Sequence, residues 1–79
     1  MTLAEAISIR VTELMEEQNL KRYGLFKKSG VDQSTIRDIV RKRNRGTNIR
    51  IIYELSQGLG IDLATFFDSP LFRGDNIVD

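Results

Sequence analysis

The sequence predicts an all-α fold, a compact bundle of five short helices in a single domain. Three observations carry that prediction. Apolar residues recur at three- and four-residue steps, and no segment reads as a strand. Good capping residues, Thr2, Asp32, Asn48 and Asp62, stand just ahead of four of the apolar runs. Gly30, Gly58, Gly60 and Pro70 stand where runs end.

Each element has its own local justification. Thr2 and Glu5 fit a capping box, and Leu3, Ile7, Val11, Leu14 and Met15 then form one apolar stripe until Asn19 ends the first helix. The second helix is short, from Lys21 to Ser29, with Lys27 and Lys28 at its negative end and Gly30 suited to the left-handed residue that follows. Asp32 caps a third helix whose inward edge is Ile36, Ile39 and Val40, leaving Gln33, Ser34, Arg37, Asp38 and Arg41 to point away. After a polar loop containing Gly46, Asn48 caps a fourth helix with Ile49, Ile52, Leu55 and Leu59 expected inside. Asp62 caps a last short helix bearing Leu63, Phe66 and Phe67, and Pro70 stops any continuation. The tail, residues 69–79, shows no clear pattern. The expected organisation is therefore a helical domain over 1–68 and a tail serving in dimerisation or left disordered.

Composition excludes several function classes. Seventy-nine residues make one small domain, near the size at which a core only just supports a fold. No stretch is apolar enough to span a bilayer, and an N-terminal region carrying Glu5, Glu13, Glu16 and Glu17 is no signal peptide. With no cysteine there is no disulfide framework or thiolate metal site, and with no histidine the commonest base and metal ligand is missing. Catalysis would have to rest on carboxylates, Lys or Ser, and no paired arrangement of them stands beside a plausible pocket. The expectation is no enzyme, no metal, no cofactor, no small-molecule substrate and a cytoplasmic home. The net charge of +1 hides an asymmetry. Residues 21–50 hold ten Lys and Arg against Asp32 and Asp38, a local charge of +8. The rest holds Arg10 and Arg73 against nine carboxylates, a charge of −7. Such a middle is either a directed binding footprint or a solvated face that only keeps the protein soluble.

Two short helices joined by a tight turn with Gly30 have a helix-turn-helix shape, weak evidence alone. Charge placement strengthens it. Short polar side chains (Gln33, Ser34, Thr35) open the third helix, and cations follow at its end and in the next loop, the order a DNA major groove favours. Residues 14–67 resemble the Cro/CI-type helix-turn-helix family, also called the xenobiotic-response-element family. The resemblance rests on Leu14, Leu20, Leu25, Gly30, Val31, Ser34-Thr35-Ile36, Ile39, Leu55, Leu59-Gly60-Ile61 and Phe66-Phe67, and it runs without a gap. It implies a lambda-repressor-like fold of four or five helices, with the helix-turn-helix at the second and third, binding specific DNA sequences as a dimer. The chain departs from the family pattern at several places. Arg22 stands where Gln usually touches backbone phosphate, Phe26 where a small residue usually lets two helices cross, and Gly24 weakens a short helix. Many members hold a partly buried Arg–Glu pair where this chain has Met15 and Val40. Exchanging such a pair for two packed apolar groups is tolerated, whereas losing one partner is not, so Met15 and Val40 are expected to touch in the core.

The candidate DNA-binding residues follow. Arg22 contacts phosphate, or is merely a surface Arg. Gln33 and Ser34 reach base edges, Gln33 in bidentate fashion to adenine, or serve the helix N-terminus. Thr35 touches phosphate or a thymine methyl, or packs beside the turn. Arg37 binds guanine or phosphate. Asp38 accepts from cytosine N4 or pairs with Arg41 or Lys42 along its own helix. Arg41, Lys42, Arg43 and Arg45 are so close together that phosphate is the natural neutraliser. Asn48 caps its helix and lets the first N–H groups meet a phosphate. The expected function is a transcriptional regulator, either a small phage- or plasmid-type repressor or an antitoxin-like regulator. It would bind duplex DNA, at a palindromic operator, as a homodimer, with Phe66, Phe67, Leu71 and Phe72 as the apolar patch for the partner. The competing reading is a protein-interaction module on the same fold whose basic face meets an acidic protein. A membrane role fails because no broad apolar face backs the basic segment.

Overall fold

A computed structural model of the chain, describing residues 1–41 and 47–78, contains five α-helices and no strand among those residues. They are α1 (Leu3–Glu17), α2 (Arg22–Ser29), α3 (Gln33–Val40), α4 (Ile49–Gly58) and α5 (Leu63–Phe67), followed by 3₁₀ turns at Pro70–Phe72 and Gly74–Asn76. No helix among the described residues is long and apolar enough to cross a membrane.

Local chemistry sets the helix ends. The capping box at α1 is complete: Glu5 N donates to Thr2 Oγ1 at 3.1 Å and Thr2 N donates to Glu5 Oε1 at 2.9 Å. Helix α1 closes on Asn19 in the left-handed region (φ 54°), with Leu20 N donating to Met15 O at 2.8 Å. Gly60 (φ 73°) closes α4 in the same way, through Ile61 N to Ser56 O at 3.0 Å. Asn48 and Asp62 cap α4 and α5 by accepting from Ile51 N at 2.9 Å and Thr65 N at 2.8 Å.

One core joins all five helices. Ile7, Val11 and Leu14 of α1, Leu25 of α2, Val31 of the turn, Ile36 and Ile39 of α3, Ile52, Leu55 and Leu59, and Phe66 of α5 are all buried together. Phe26, at the crossing where the family prefers a small residue, is half-buried against this cluster, its ring 6.0 Å from that of Tyr23. Met15 and Val40 are also half-buried against the core. Helices α2 and α4 approach closely at Gly58, where a Cβ would lie 2.6 Å from Ser29 Cβ and 2.9 Å from Ser29 Cα.

Side chains of α1 and its C-cap Gln18 satisfy carbonyls at the ends of three other helices. Ser8 Oγ donates to Val40 O at 2.9 Å, Gln18 Nε2 to Leu59 O at 2.6 Å, and Arg10 Nε to Phe66 O at 2.7 Å. Beyond α5, Phe72 stacks edge-on to Phe67 at 5.0 Å, and Val78 N donates to Met1 O at 2.8 Å. The tail through Val78 thus lies back along the start of α1.

Two expected core positions are corrected. Ile49 is 62% exposed. At about 100° per residue, Ile49 falls to one side of the arc centred on Ile52, Leu55 and Leu59, and half-buried Ile51 takes the inward place. Leu3 is in phase with the α1 stripe but at its outer end, where it stays 43% exposed.

Candidate nucleic-acid interface

The turn between α2 and α3 is built by Ser29 and Gly30. Gly30 takes the left-handed conformation (φ 75°) and its N–H donates to Phe26 O at 2.8 Å. Ser29 Oγ donates to Leu25 O at 2.7 Å and accepts from Val31 N at 3.1 Å, so one hydroxyl bridges the helix end and the turn. Val31 is then buried, which anchors the turn and aims α3. The helical pattern alone marks Ser29 only as a helix terminus. Its legible signal was a hydroxyl next to a helix-ending glycine, where local side-chain bonds to backbone are favoured.

Helix α3 is sharply two-sided. Ile36 and Ile39 are buried, while Ser34 and Arg41 are exposed and Gln33, Thr35, Arg37 and Asp38 are partly open. Gln33, Arg37 and the C-cap Arg41 follow at four-residue steps, with Ser34 three residues before Arg37, so they form a single outward row along the helix. Arg22 is exposed at the first position of α2, and Asn48 is exposed at the cap of α4. Arg50, one residue into α4, is a further exposed cation and stands 3.9 Å from Glu54. Its place two residues after a cap was the signal that would have added it to the candidates. Lys42, Arg43 and Arg45 lie outside the described residues.

Two details differ from expectation. Asp32 stands at the N-cap of α3, but its side chain makes no capping bond; its carboxylate instead accepts from Ser34 Oγ at 3.4 Å. A backbone ψ of 140° with φ −54° at Asp32 accompanies that arrangement. Asp38 does not pair with Arg41, the one of its two expected cations that lies among the described residues. Its Oδ1 accepts from Arg37 Nε at 3.3 Å, both side chains being about a third exposed or more (40% and 34%). Among the described residues, Arg41 is left free of an ion pair and open to solvent.

Elsewhere, a polar groove of about 350 Å³ is lined by Arg10, Glu13, Glu16, Glu17, Asp68, Ser69 and Pro70 and shares no residue with α3. Its carboxylates would repel a phosphate backbone, so the molecule has a cationic helix and an anionic groove on different elements.

A helix-turn-helix family model matches residues 11–66, which spans α2, the turn and α3 together with their supporting helices. Among solved structures the chain is similar to the prophage Lp1 protein 11, at 30% identity and a TM-score of 0.80, covering 94% of this chain and 97% of that one. It is also similar to the wild-type restriction-modification controller protein C.Esp1396I, at 24% identity and a TM-score of 0.77, covering 86% and 87%, a likeness of fold. No curated protein sequence matches the chain. With the family model covering most of its length, and with the turn, the buried edge and the polar row of α3 in place, the chain belongs to the Cro/CI-type helix-turn-helix family.

Proposed function

We propose that this protein is a transcriptional regulator that reads specific duplex DNA by inserting α3 into the major groove. The observation that carries this is the outward row Gln33, Ser34, Arg37 and Arg41 set over a buried Ile36–Ile39 edge. Short polar side chains lead and cations follow, matching base edges in the groove and phosphates at its rim. Arg22 at the start of α2, the exposed Asn48 at the start of α4, and the cations Arg41, Lys42, Arg43 and Arg45 hold the backbone. A two-fold dimer would set two copies of α3 on half-sites one helical turn apart, roughly 34–36 Å. Such a reader works in the cytoplasm, where the DNA is. The restriction-modification controller protein whose fold the chain resembles is consistent with such a role.

The test is fluorescence anisotropy with duplexes selected by the protein from a random pool and a scrambled control, across a salt series. Selected duplexes should bind more tightly, with affinity falling steeply as salt rises. Gln33→Ala should narrow the gap between selected and scrambled duplexes by about tenfold or more, because a bidentate base contact carries that order of discrimination. Absence of binding at low salt would refute the regulator and favour an acidic protein partner for the same face.

A further inference from the structure

We propose that Asp38 is a positioning residue that fixes Arg37 as a guanine reader, so that the two adjacent side chains act as one specificity element. The inference rests on the DNA-reading role of α3 and extends it to a base identity.

Consecutive residues on a helix do not normally face each other. Here they meet: Arg37 Nε donates to Asp38 Oδ1 at 3.3 Å, with both side chains partly open to solvent. A pair so exposed contributes little to stability, so its consequence lies in geometry. An arginine offers five N–H donors, one on Nε and four on the two terminal nitrogens. With Nε–H committed to Asp38, the side-on edge of the guanidinium is occupied. What remains is the end-on fork of Nη1 and Nη2. That fork matches two acceptors side by side, which in the major groove only guanine presents, as O6 and N7. Adenine offers an N7 acceptor beside an N6 donor and would leave one arm of the fork opposed. Phosphate also accepts a fork, but a carboxylate next to the guanidinium repels the backbone and turns Arg37 away from that use. The outward row places Arg37 one turn after Gln33 and one turn before Arg41, between a base reader and a phosphate clamp.

The experiment compares wild-type protein, Asp38→Ala, Asp38→Asn and Arg37→Ala on duplexes in which each half-site position is varied through all four bases. Thermal melts confirm that the variants fold, as exposed side chains allow. Wild-type protein should prefer guanine at one position, and Arg37→Ala should lose that preference by about tenfold or more. Asp38→Ala should lose it too, while binding scrambled DNA as tightly as wild type or more so, since a negative charge has gone. Asp38→Asn, whose amide oxygen can still accept from Nε, should keep most of the guanine preference. The inference is overturned if Asp38→Ala tightens all duplexes equally with guanine preference intact, or if Arg37→Ala leaves that preference unchanged. A wild-type protein without base preference anywhere would sink the regulator reading and this inference together, an outcome distinct from the first two.

Discussion

Gly58 shows how a single atom sets the spacing of this bundle. Its missing side chain lets α4 lie against the end of α2, where a Cβ would come within 2.6 Å of Ser29 Cβ and 2.9 Å of its backbone. Neither contact is with a flexible side-chain end, so the helices themselves would have to part. Ser29 also holds the turn that aims α3, through Leu25 O and Val31 N. Gly58→Ala should therefore cost about 1–3 kcal/mol despite the better helix propensity of alanine. In urea the midpoint should fall with the slope unchanged. An unchanged midpoint would mean that α2 and α4 stand farther apart than the geometry requires. Contrast Arg37 and Asp38, whose exposed pairing is expected to matter for base choice and hardly for stability.

At the scale of elements, α5 is the one that most needs support. Five residues are too few for a helix to stand by itself. Its start is held by Asp62 and its end by Arg10, which donates to Phe66 O and Thr65 O. Hydrogen bonds from the Thr65 side chain and then from its backbone N–H hold the Asp62 carboxyl below its ordinary range. A lowered value in the folded state means that this contribution is complete above the ordinary carboxylate value of about 3.9 and is lost as pH falls through the lowered one. Asp62→Asn, which still caps but does not titrate, should show a shallower loss of thermal stability in that acid window than wild type. Identical acid profiles for the two proteins would remove Asp62 from the account. The same elements show what the sequence could and could not reveal. Caps and helix ends were legible because Thr2, Asn48, Asp62, Gly30 and Gly60 act on backbone within a few residues of themselves. Ile49 was misplaced because three-residue steps drift around a helix, and only the packing of α4 against α2 and α5 decides which arc is covered. The donors Ser8, Arg10 and Gln18 were invisible for a different reason: their acceptors lie on α3, α5 and α4, up to 56 residues away. The row of α3 followed from periodicity, but the turn of Arg37 toward Asp38 is a rotamer choice that spacing does not encode.

For the whole molecule, charge is arranged rather than accumulated. A net charge of +1 would give almost no attraction for DNA. The molecule measures 34 × 23 × 21 Å, whereas at physiological salt a charge is screened over about 8 Å. The phosphates therefore respond to the cations beside them and not to the total, and the carboxylates of the Arg10–Glu17 groove have little effect on binding. Each phosphate contact should steepen the fall of log affinity with log salt by about 0.9. Arg43→Ala should make that slope shallower by about one for each protomer bound and leave the preferred bases unchanged. Glu17→Gln, in the acidic groove, should leave the slope where it was. A loss of affinity for Arg43→Ala that is the same at low and high salt would show that this cation does not displace counterions from the backbone. A matching change in slope for Glu17→Gln would show that the field of the whole protein, and not the local cations, governs its approach to DNA.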